Sequence, residues 1–268
     1  MTSHRELLSF FNLTGPPFSK EIPVDQLHLL PSVQRHLAAA QLLVDTHGIG
    51  AITGKAGTGK SCLLRLLADR LPPGLYRCFY LCHSSVGLVE FYTHLSTLFG
   101  LQPNYRRAAM FRDIKDRVLA MNNSSHVHPV LLIDEAHLLS PDILAEIRLL
   151  VNFEIDSLNA LTVILCGSEM LTRKFGLSML EALASSITVT ISIDTLSAEE
   201  SASYLEQRLR ACGAAGPVFT KNALALIHQA AGGTLRTLGT IANAALLKAF
   251  TAASHQVEAE HVQQVIQR

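Results

Sequence analysis

Eight consecutive residues have the types and spacing needed to bind phosphate. Gly54 to Ser61 read G-K-A-G-T-G-K-S, which follows the pattern G-x-x-x-x-G-K-S. Glycines allow backbone N–H groups to point inward at phosphate oxygens, and a Cβ would obstruct that approach. Lys60 is expected to reach the β- and γ-phosphates, and the Ser61 hydroxyl is expected to ligate Mg²⁺. The residues predicted to contact ATP are Gly54, Lys55, Ala56, Gly57, Thr58, Gly59, Lys60, Ser61 and Cys62.

Two adjacent carboxylates could supply the second half of a hydrolytic site. The apolar segment that begins at Pro129 ends in Asp134 and Glu135. We predict that Asp134, with Ser61, holds Mg²⁺ and that Glu135 polarises the attacking water as a general base. An acidic pair at a strand exit can also be solvated and inert, but the phosphate-binding loop in the same chain favours the catalytic interpretation. For His137, packing or capping of the next helix is favoured over a role in the site.

Two further polar residues are weaker candidates. Ser168 follows an apolar run, and it would lie near the γ-phosphate if that strand sits between the other two strands of the site. A turn serine is an equally good interpretation. Arg236 opens a helix after Gly232 and Gly233, and a lid arginine could reach back to phosphates. From its position alone, Arg236 is better interpreted as a surface residue.

Hydrophobic patterning predicts an α/β fold for the first two thirds of the chain. Short apolar runs separated by helical stretches indicate strands that are covered on both faces, as in the parallel sheet of a three-layer αβα sandwich. An irregular segment, 1–31, and one helix ending before Gly48 precede the first strand. The five strands are predicted over 49–53, 76–82, 129–134, 161–166 and 187–193, and the helices over 61–71, 86–99, 107–121, 141–152 and 169–184.

The pattern becomes entirely helical after Asp194. Ser197 and Glu200 have the spacing of a capping box at the start of a helix that runs toward Gly213. Further helices are predicted over 220–231, 234–251 and 257–267. We therefore predict three regions, which are an N-terminal extension with the first helix (1–47), an ATPase domain (48–194) and an all-helical lid domain (195–268).

Composition sets limits on compartment and partners. The chain has 268 residues, 49% hydrophobic and 16% charged, with a formal net charge of zero, which argues against a polybasic nucleic-acid tail. Five cysteines form no C-x-x-C pair, as expected of thiols in a reducing compartment. The first ten residues do not resemble a signal peptide, and no apolar run approaches ~20 residues. The expected location is cytoplasmic, without membrane contact.

Together these motifs resemble those of the AAA+ ATPases, and specifically the ExeA-type (general secretion pathway protein A) ATPases and their relatives among the transposition helper ATPases. The resemblance extends over nearly the whole chain. It implies that Ser168 is the sensor 1 residue and Arg236 the sensor 2 residue, both acting with Lys60 and Glu135 in catalysis. It also implies the sheet order 5-1-4-3-2, with nucleotide between the sheet domain and the lid. The segments that carry it are Phe10 to Leu13, Pro17 to Ser19, Gly54 to Ser61, Leu131 to His137, Cys166 to Leu171, Leu196 to Glu200, Tyr204 to Leu209 and Gly232 to Arg236.

The chain departs from the family pattern at one functional position. The family usually carries an arginine just before the fifth strand, where it acts on the nucleotide of a neighbouring subunit, and here that position is Ser186. Arg173 and Lys174 are weak substitutes for it. Hydrolysis is therefore expected to be slow or to depend on a partner's arginine.

The resemblance favours a DNA-associated role for a chain that ends after the lid. We predict an ATPase that oligomerises with ATP, binds double-stranded DNA and recruits or regulates a transposase. The alternatives are a secretion-pathway ATPase and a nucleotide-dependent switch with weak hydrolysis. DNA binding would be mainly to phosphates. The candidate DNA contacts are the basic residues Arg106, Arg107, Arg112 and Lys115.

Overall fold

Five parallel strands form the central sheet of the protein. The computed structural model describes residues 4–19, 21–24, 27, 29–82, 87–154 and 157–267. The strand order is β2-β3-β4-β1-β5, which confirms the predicted order 5-1-4-3-2. The strands are β1 (Ile49–Gly54), β2 (Tyr76–Leu81), β3 (His128–Ile133), β4 (Thr162–Gly167) and β5 (Ile187–Ile193).

Burial distinguishes the inner strands from the edge strands. Every residue of β1, β3 and β4 is buried, whereas β2 and β5 contain exposed positions. Inner strands covered on both faces require continuous apolar runs, which is the pattern in the sequence. Because the strands are parallel, the residues that follow β1, β3 and β4 meet at one edge of the sheet, where ligands bind in open α/β folds.

The chain forms two compact units. The sheet unit consists of Val33–Lys55 and Lys60–Ile193, and the helical unit consists of the described residues up to Ser32, Ala56–Gly59, and the described residues from Asp194 onward. The helices that precede Asp194 are α1 (His4–Phe10), α2 (Pro31–Asp45), α3 (Lys60–Arg70), α4 (Leu88–Leu98), α5 (Arg107–Ser125), α6 (Pro141–Leu150), α7 (Glu169–Phe175) and α8 (Glu181–Ser186).

The predicted helix over 169–184 is wrong in one respect, because it is interrupted. α7 ends at Gly176, whose N–H bonds to the carbonyl of Arg173, and a short 3-10 helix over Ser178–Leu180 precedes α8. The buried residues Leu171 and Leu183 lie on either side of the interruption. The apolar spacing thus continues through a break in the helix at Gly176.

Four helices follow Asp194, as predicted. The capping box at the start of α9 forms in full, with the Ser197 hydroxyl accepting from the Glu200 N–H and the Glu200 carboxylate accepting from the Ser197 N–H. The helices are α9 (Ala198–Ala211), α10 (Lys221–Ala231), α11 (Leu235–Thr251) and α12 (Ala259–Ile266).

The N-terminal segment packs within the helical unit. The prediction that residues 1–31 are irregular is wrong for α1, where the Phe10 ring lies 5.1 Å from the Phe250 ring of α11. Further along, the buried Arg208 donates through Nε to the Pro17 carbonyl at 2.8 Å, and the Phe18 ring lies 6.5 Å from that of Phe219. This segment is therefore part of the core of the helical unit.

Candidate functional site

The glycines of the phosphate loop, residues 54–61, have conformations that other residues rarely adopt. Gly57 has φ of +80° and Gly59 has φ of +103°. A Cβ on Gly57 would lie 2.9 Å from the Arg236 Cβ, and a Cβ on Gly59 would lie 2.9 Å from the Leu235 Cδ1. Both backbone angle and close approach thus require glycine, and these contacts lie within the helical unit.

Lys60 is the first residue of α3, and its side chain folds back along the loop. Its Nζ donates to the carbonyls of Gly54 at 3.0 Å and Lys55 at 2.8 Å, and the residue is 7% exposed. An ammonium group has three N–H donors, and two are used by these carbonyls in the described part of the chain. The loop therefore holds a cation at the N-terminal end of a helix, where an anion is favoured.

Asp134 follows β3, and its side chain contacts α3 and β2 of the sheet unit. Its Oδ2 accepts from the Ser61 hydroxyl at 2.7 Å and from the Tyr80 hydroxyl at 3.1 Å, while its Oδ1 accepts from the Glu135 N–H at 2.9 Å. The carboxyl group is buried. A carboxylate beside a serine hydroxyl is an oxygen-rich set that suits Mg²⁺, so Ser61 and Asp134 fit the predicted metal role.

Sequence reasoning missed Tyr80, which lies near the carboxyl end of β2. Tyr80 is 50% exposed, and its partial burial, followed by hydrogen bonds to Cys82 and Asp134 and the negative charge of Asp134, raises the pKa of its hydroxyl. Tyr80 is therefore a neutral donor at physiological pH. The signal was available, because a polar side chain near the end of β2 faces the end of β3 once the two strands are paired. Cys166 of β4 is also close to Asp134, and burial raises its thiol pKa.

Glu135 lies in the left-handed region of the backbone, with φ of +53°, which is uncommon for a residue other than glycine. Its side chain is 45% exposed, and its Oε2 lies 3.3 Å from Nδ1 of His137. The Ser168 N–H donates to the same Nδ1 at 3.3 Å. The role favoured for His137 by the sequence is packing or capping of the next helix. Ser140 supplies the cap of α6 instead, and His137 contacts Glu135 and the end of β4.

Ser168 follows β4, which lies between β1 and β3 as its proposed role requires. Its hydroxyl is buried and forms no hydrogen bond within the described residues, although the residue is the N-cap of α7. A buried hydroxyl without a partner is unfavourable by about 1–3 kcal/mol. The Ser168 hydroxyl is thus a polar group for which a ligand would supply the missing partner.

Arg236 contacts the phosphate loop through its backbone. Its N–H donates to the Gly57 carbonyl at 3.1 Å, and its side chain is exposed. Thr234 and Leu235 lie in the same turn, at the start of α11. Cys62, the last predicted contact of ATP, is exposed on α3. The structure therefore brings the predicted residues to two groups, one around Asp134 in the sheet unit and one around Gly57 in the helical unit.

Comparison with known proteins identifies the family. Residues 40–175, just over half of the chain, match the model of the AAA domain. The chain belongs to the AAA domain family. It is 33% identical over 254 residues to the general secretion pathway protein A of Aeromonas hydrophila, covering 92% of this chain and 46% of that protein. The chain thus spans less than half of the length of this curated relative.

Solved structures of AAA+ proteins share the fold. The ORC2 protein of Aeropyrum pernix, in ADPNP–ADP complexes, superimposes with a TM-score of 0.71 at 16% identity, covering 94% of this chain and 71% of that chain. The Aeropyrum pernix ORC1 protein in complex with DNA gives 0.69 at 16% identity, covering 89% and 65%. At this identity the likeness shows the fold, and it confirms a P-loop αβα sheet with helical C-terminal part.

The predicted basic cluster of this AAA domain protein is partly occupied by internal contacts. Arg107 pairs with Glu146 at 2.6 Å, and Lys115 donates to the Asn152 carbonyl. Burial lowers the pKa of Lys115. The Arg112 Nε lies 3.9 Å from the Asp113 Oδ1, and the Arg106 guanidinium lies 5.4 Å from the centre of the Tyr105 ring. Two of the four predicted DNA contacts are thus already held by the fold.

The substitutes for the missing family arginine differ in availability. Lys174 donates to the Leu139 carbonyl at 2.6 Å, whereas Arg173 is exposed on α7. Ser186, at the usual arginine position, donates its hydroxyl to the Ala182 carbonyl at 2.7 Å.

Among the described residues, no helix combines the length and the apolar character needed to cross a bilayer, and no three His, Cys, Asp or Glu side chains form a metal-binding group.

Proposed function

We propose that this AAA domain protein binds Mg²⁺·ATP and hydrolyses it to ADP and phosphate. The observation that carries the proposal is the hydrogen bond from Ser61 to Asp134, made beside a buried Lys60 that is held along the phosphate loop. Lys60 and the N–H groups of residues 54–62 would bind the phosphates. Bound Mg²⁺, held by Ser61 and Asp134, would neutralise the charge that develops on them.

Glu135 is the general base of this proposal. Its carboxylate is half exposed and adjoins Asp134, so it can accept a proton from water at the metal site. The Ser168 hydroxyl would bind the γ-phosphate or the attacking water, which would satisfy a buried group. Arg236 would respond to the γ-phosphate from α11. For a trans-acting arginine, Arg173 is a better candidate than Lys174, because Lys174 is held by a carbonyl.

Equilibrium binding and steady-state hydrolysis test the proposal together. The wild-type protein should bind ATP in the presence of Mg²⁺ and release phosphate. Lys60→Ala should weaken ATP binding by at least about tenfold, because one charge-assisted contact to phosphate is lost. Lys221→Ala is the control, since Lys221 is exposed at the start of α10 and lies outside the phosphate loop. Unchanged ATP affinity in Lys60→Ala would contradict the assignment.

The biological role that we favour is in secretion, as an ATPase similar to general secretion pathway protein A. The identity of 33% over 254 residues to that protein supports this role, which was the alternative in the sequence analysis. Recruitment of a transposase, the role first predicted, has no support in these comparisons and stays a prediction. The cytoplasmic location also stays a prediction.

Assembly in solution discriminates between the two roles. Sedimentation with ATP, ADP or no nucleotide, each with and without duplex DNA, would show whether ATP favours an oligomer by mass action. An ATP-dependent oligomer that forms equally with and without DNA, and does not retain DNA, supports the secretion role. Retention of DNA that weakens steeply with salt would restore the transposition role, since phosphate contacts are salt-sensitive. A monomer in every condition, with no DNA retained at low salt, would contradict the transposition role and favour the secretion role or a nucleotide-dependent switch.

A further inference from the structure

We propose that His137 is a positioning residue that sets the orientation of Glu135 according to the state of Ser168. The inference rests on the proposed function, because Glu135 is taken to be the base of ATP hydrolysis. It gives a function to a residue for which the sequence favours a packing or capping role. Three contacts of one imidazole ring carry it, and all three lie within the sheet unit.

One ring atom of His137 faces both neighbours. Its Nδ1 lies 3.3 Å from the Glu135 carboxylate and 3.3 Å from the Ser168 nitrogen. The ring also packs on β4, because a Cβ on Gly167 would lie 3.3 Å from Nδ1 and 3.1 Å from the His137 nitrogen. The His137 side chain is 13% exposed, so it has little room to move independently of β4.

The hydrogen bond to Ser168 decides the tautomer of His137. An N–H group donates to Nδ1, so Nδ1 presents its lone pair and the proton of the neutral ring lies on Nε2. His137 therefore does not donate to Glu135 in this arrangement. The Nδ1 lone pair and the Glu135 carboxylate oxygen 3.3 Å away repel each other, so the ring restricts where the carboxylate can lie. The carboxylate lone pairs still accept a proton from water, which is what a general base requires.

Ser168 links this arrangement to nucleotide. Its hydroxyl is buried and without a partner among the described residues, while its backbone N–H holds Nδ1. A γ-phosphate that bonds to the hydroxyl would shift the N–H of the same residue, and Nδ1 would follow. Glu135, whose backbone is already strained at φ of +53°, would then change orientation. ADP lacks the γ-phosphate and would leave Glu135 where it is.

Two substitutions separate hydrogen bonding from packing. His137→Phe keeps an aromatic ring but has no acceptor, and His137→Asn places an acceptor oxygen near the position of Nδ1. His137→Phe should lower kcat by about 10- to 100-fold, since small displacements of a reacting group have such effects. The Kd for ATP should change by less than about threefold. His137→Asn should recover most of the loss, and His126→Asn at an exposed site is the control.

Three kinetic results would overturn the inference. They are wild-type turnover in His137→Phe, equal loss in His137→Asn and His137→Phe, or a fall in ATP affinity that parallels the fall in kcat. The last result would indicate that His137 only supports the fold of the site.

A measurement that does not depend on turnover separates this inference from the proposed function. In ¹⁵N-histidine spectra, His137 should be the Nε2–H tautomer without nucleotide. Its Nδ1 resonance should shift with Mg²⁺ and a non-hydrolysable ATP analogue but not with ADP, and Ser168→Ala should abolish the shift. An Nδ1–H tautomer, or equal spectra with both nucleotides, would overturn the inference. A protein that shows the expected spectra without hydrolysing ATP would instead contradict the proposed function.

Discussion

Ser61 Oγ donates to Asp134 Oδ2 at 2.7 Å, which joins the first turn of α3 to the carboxyl end of β3. If these two oxygens hold Mg²⁺, Asp134→Asn should raise the Mg²⁺ concentration needed for half-maximal hydrolysis by at least about tenfold, because a charged ligand is replaced by a neutral one. A Mg²⁺ titration of phosphate release measures this. Asp69→Asn, on the exposed face of α3, is the control. An unaltered titration would remove Asp134 from the metal site.

Glu135→Gln should separate ATP binding from hydrolysis. The amide keeps the shape of the side chain and loses the basic oxygen, so turnover should fall by about 10²–10⁴-fold while ATP remains bound. Single-turnover hydrolysis and filter retention of labelled ATP measure the two quantities. Glu181→Gln at the exposed start of α8 should behave as wild type. Persistent wild-type turnover in Glu135→Gln would mean that another group accepts the proton.

Gly57→Ala tests the phosphate loop without removing any polar group. The added methyl would lie 2.9 Å from the Arg236 Cβ and 3.0 Å from the Thr234 Cγ2, at a φ of +80°. A backbone of this kind is strained by about 1–3 kcal/mol for other residues, so either stability or ATP affinity should fall accordingly. Thermal unfolding and ATP titration measure both. In Gly74→Ala no atom opposes the methyl, and that variant should be unaffected.

The strands of the sheet could be predicted because burial determines the apolar pattern of their sequences. β1, β3 and β4 are covered on both faces, so their sequences are apolar without interruption, and the ends of the strands carry the motif residues. The split between α7 and α8 could not be predicted from periodicity, since the apolar spacing continues across Gly176. α1 was missed because it has only seven residues and packs on α11, a contact that no local pattern indicates.

The candidate site was predictable where its residues are contiguous. The loop that ends at Ser61 and the pair at Asp134 each form a motif that chemistry alone can interpret. Tyr80 and His137 were missed because their partners lie 54 and 31 residues away in the chain. Their roles depend on which strands are neighbours and on how closely one ring approaches β4. That information lies in tertiary packing rather than in spacing along the sequence.

Arg236→Ala tests whether α11 responds to the γ-phosphate. The hydrogen bond from the Arg236 backbone N–H to the Gly57 carbonyl survives the substitution, so only the guanidinium group is lost. In the wild type, amide hydrogen exchange in α9–α12 should differ between ATP and ADP, and the difference should be largely lost in Arg236→Ala. Arg210→Ala on α9 removes an exposed arginine 3.7 Å from Glu206 and is the control. A full ATP–ADP contrast in Arg236→Ala would assign Arg236 to the surface.

A buried histidine on β3 should make stability depend on pH. His128 Nδ1 lies 3.0 Å from the Asn122 Oδ1, and its Nε2 lies 2.9 Å from the Thr162 hydroxyl. Asn122 donates through its amide to two carbonyls, so its oxygen faces His128 and the ring proton lies on Nδ1. Burial, with a smaller contribution from the His47 ring stacked at 3.7 Å, lowers the pKa of His128 to about 4. His47 in turn lies near Asp45.

The His128 imidazole is therefore harder to protonate in the folded protein than in the unfolded chain. Between the unfolded pKa of 6.5 and the folded pKa of about 4, the unfolded state binds more protons, so stability falls as the pH decreases through this window. The loss attributable to His128 is on the order of 3 kcal/mol by pH 4 and is absent above pH 6.5. Urea unfolding at several pH values should show a shallower decline for His128→Gln than for the wild type, whereas His126→Asn should follow the wild type. Parallel declines for His128→Gln and wild type would show that His128 is not the titrating group.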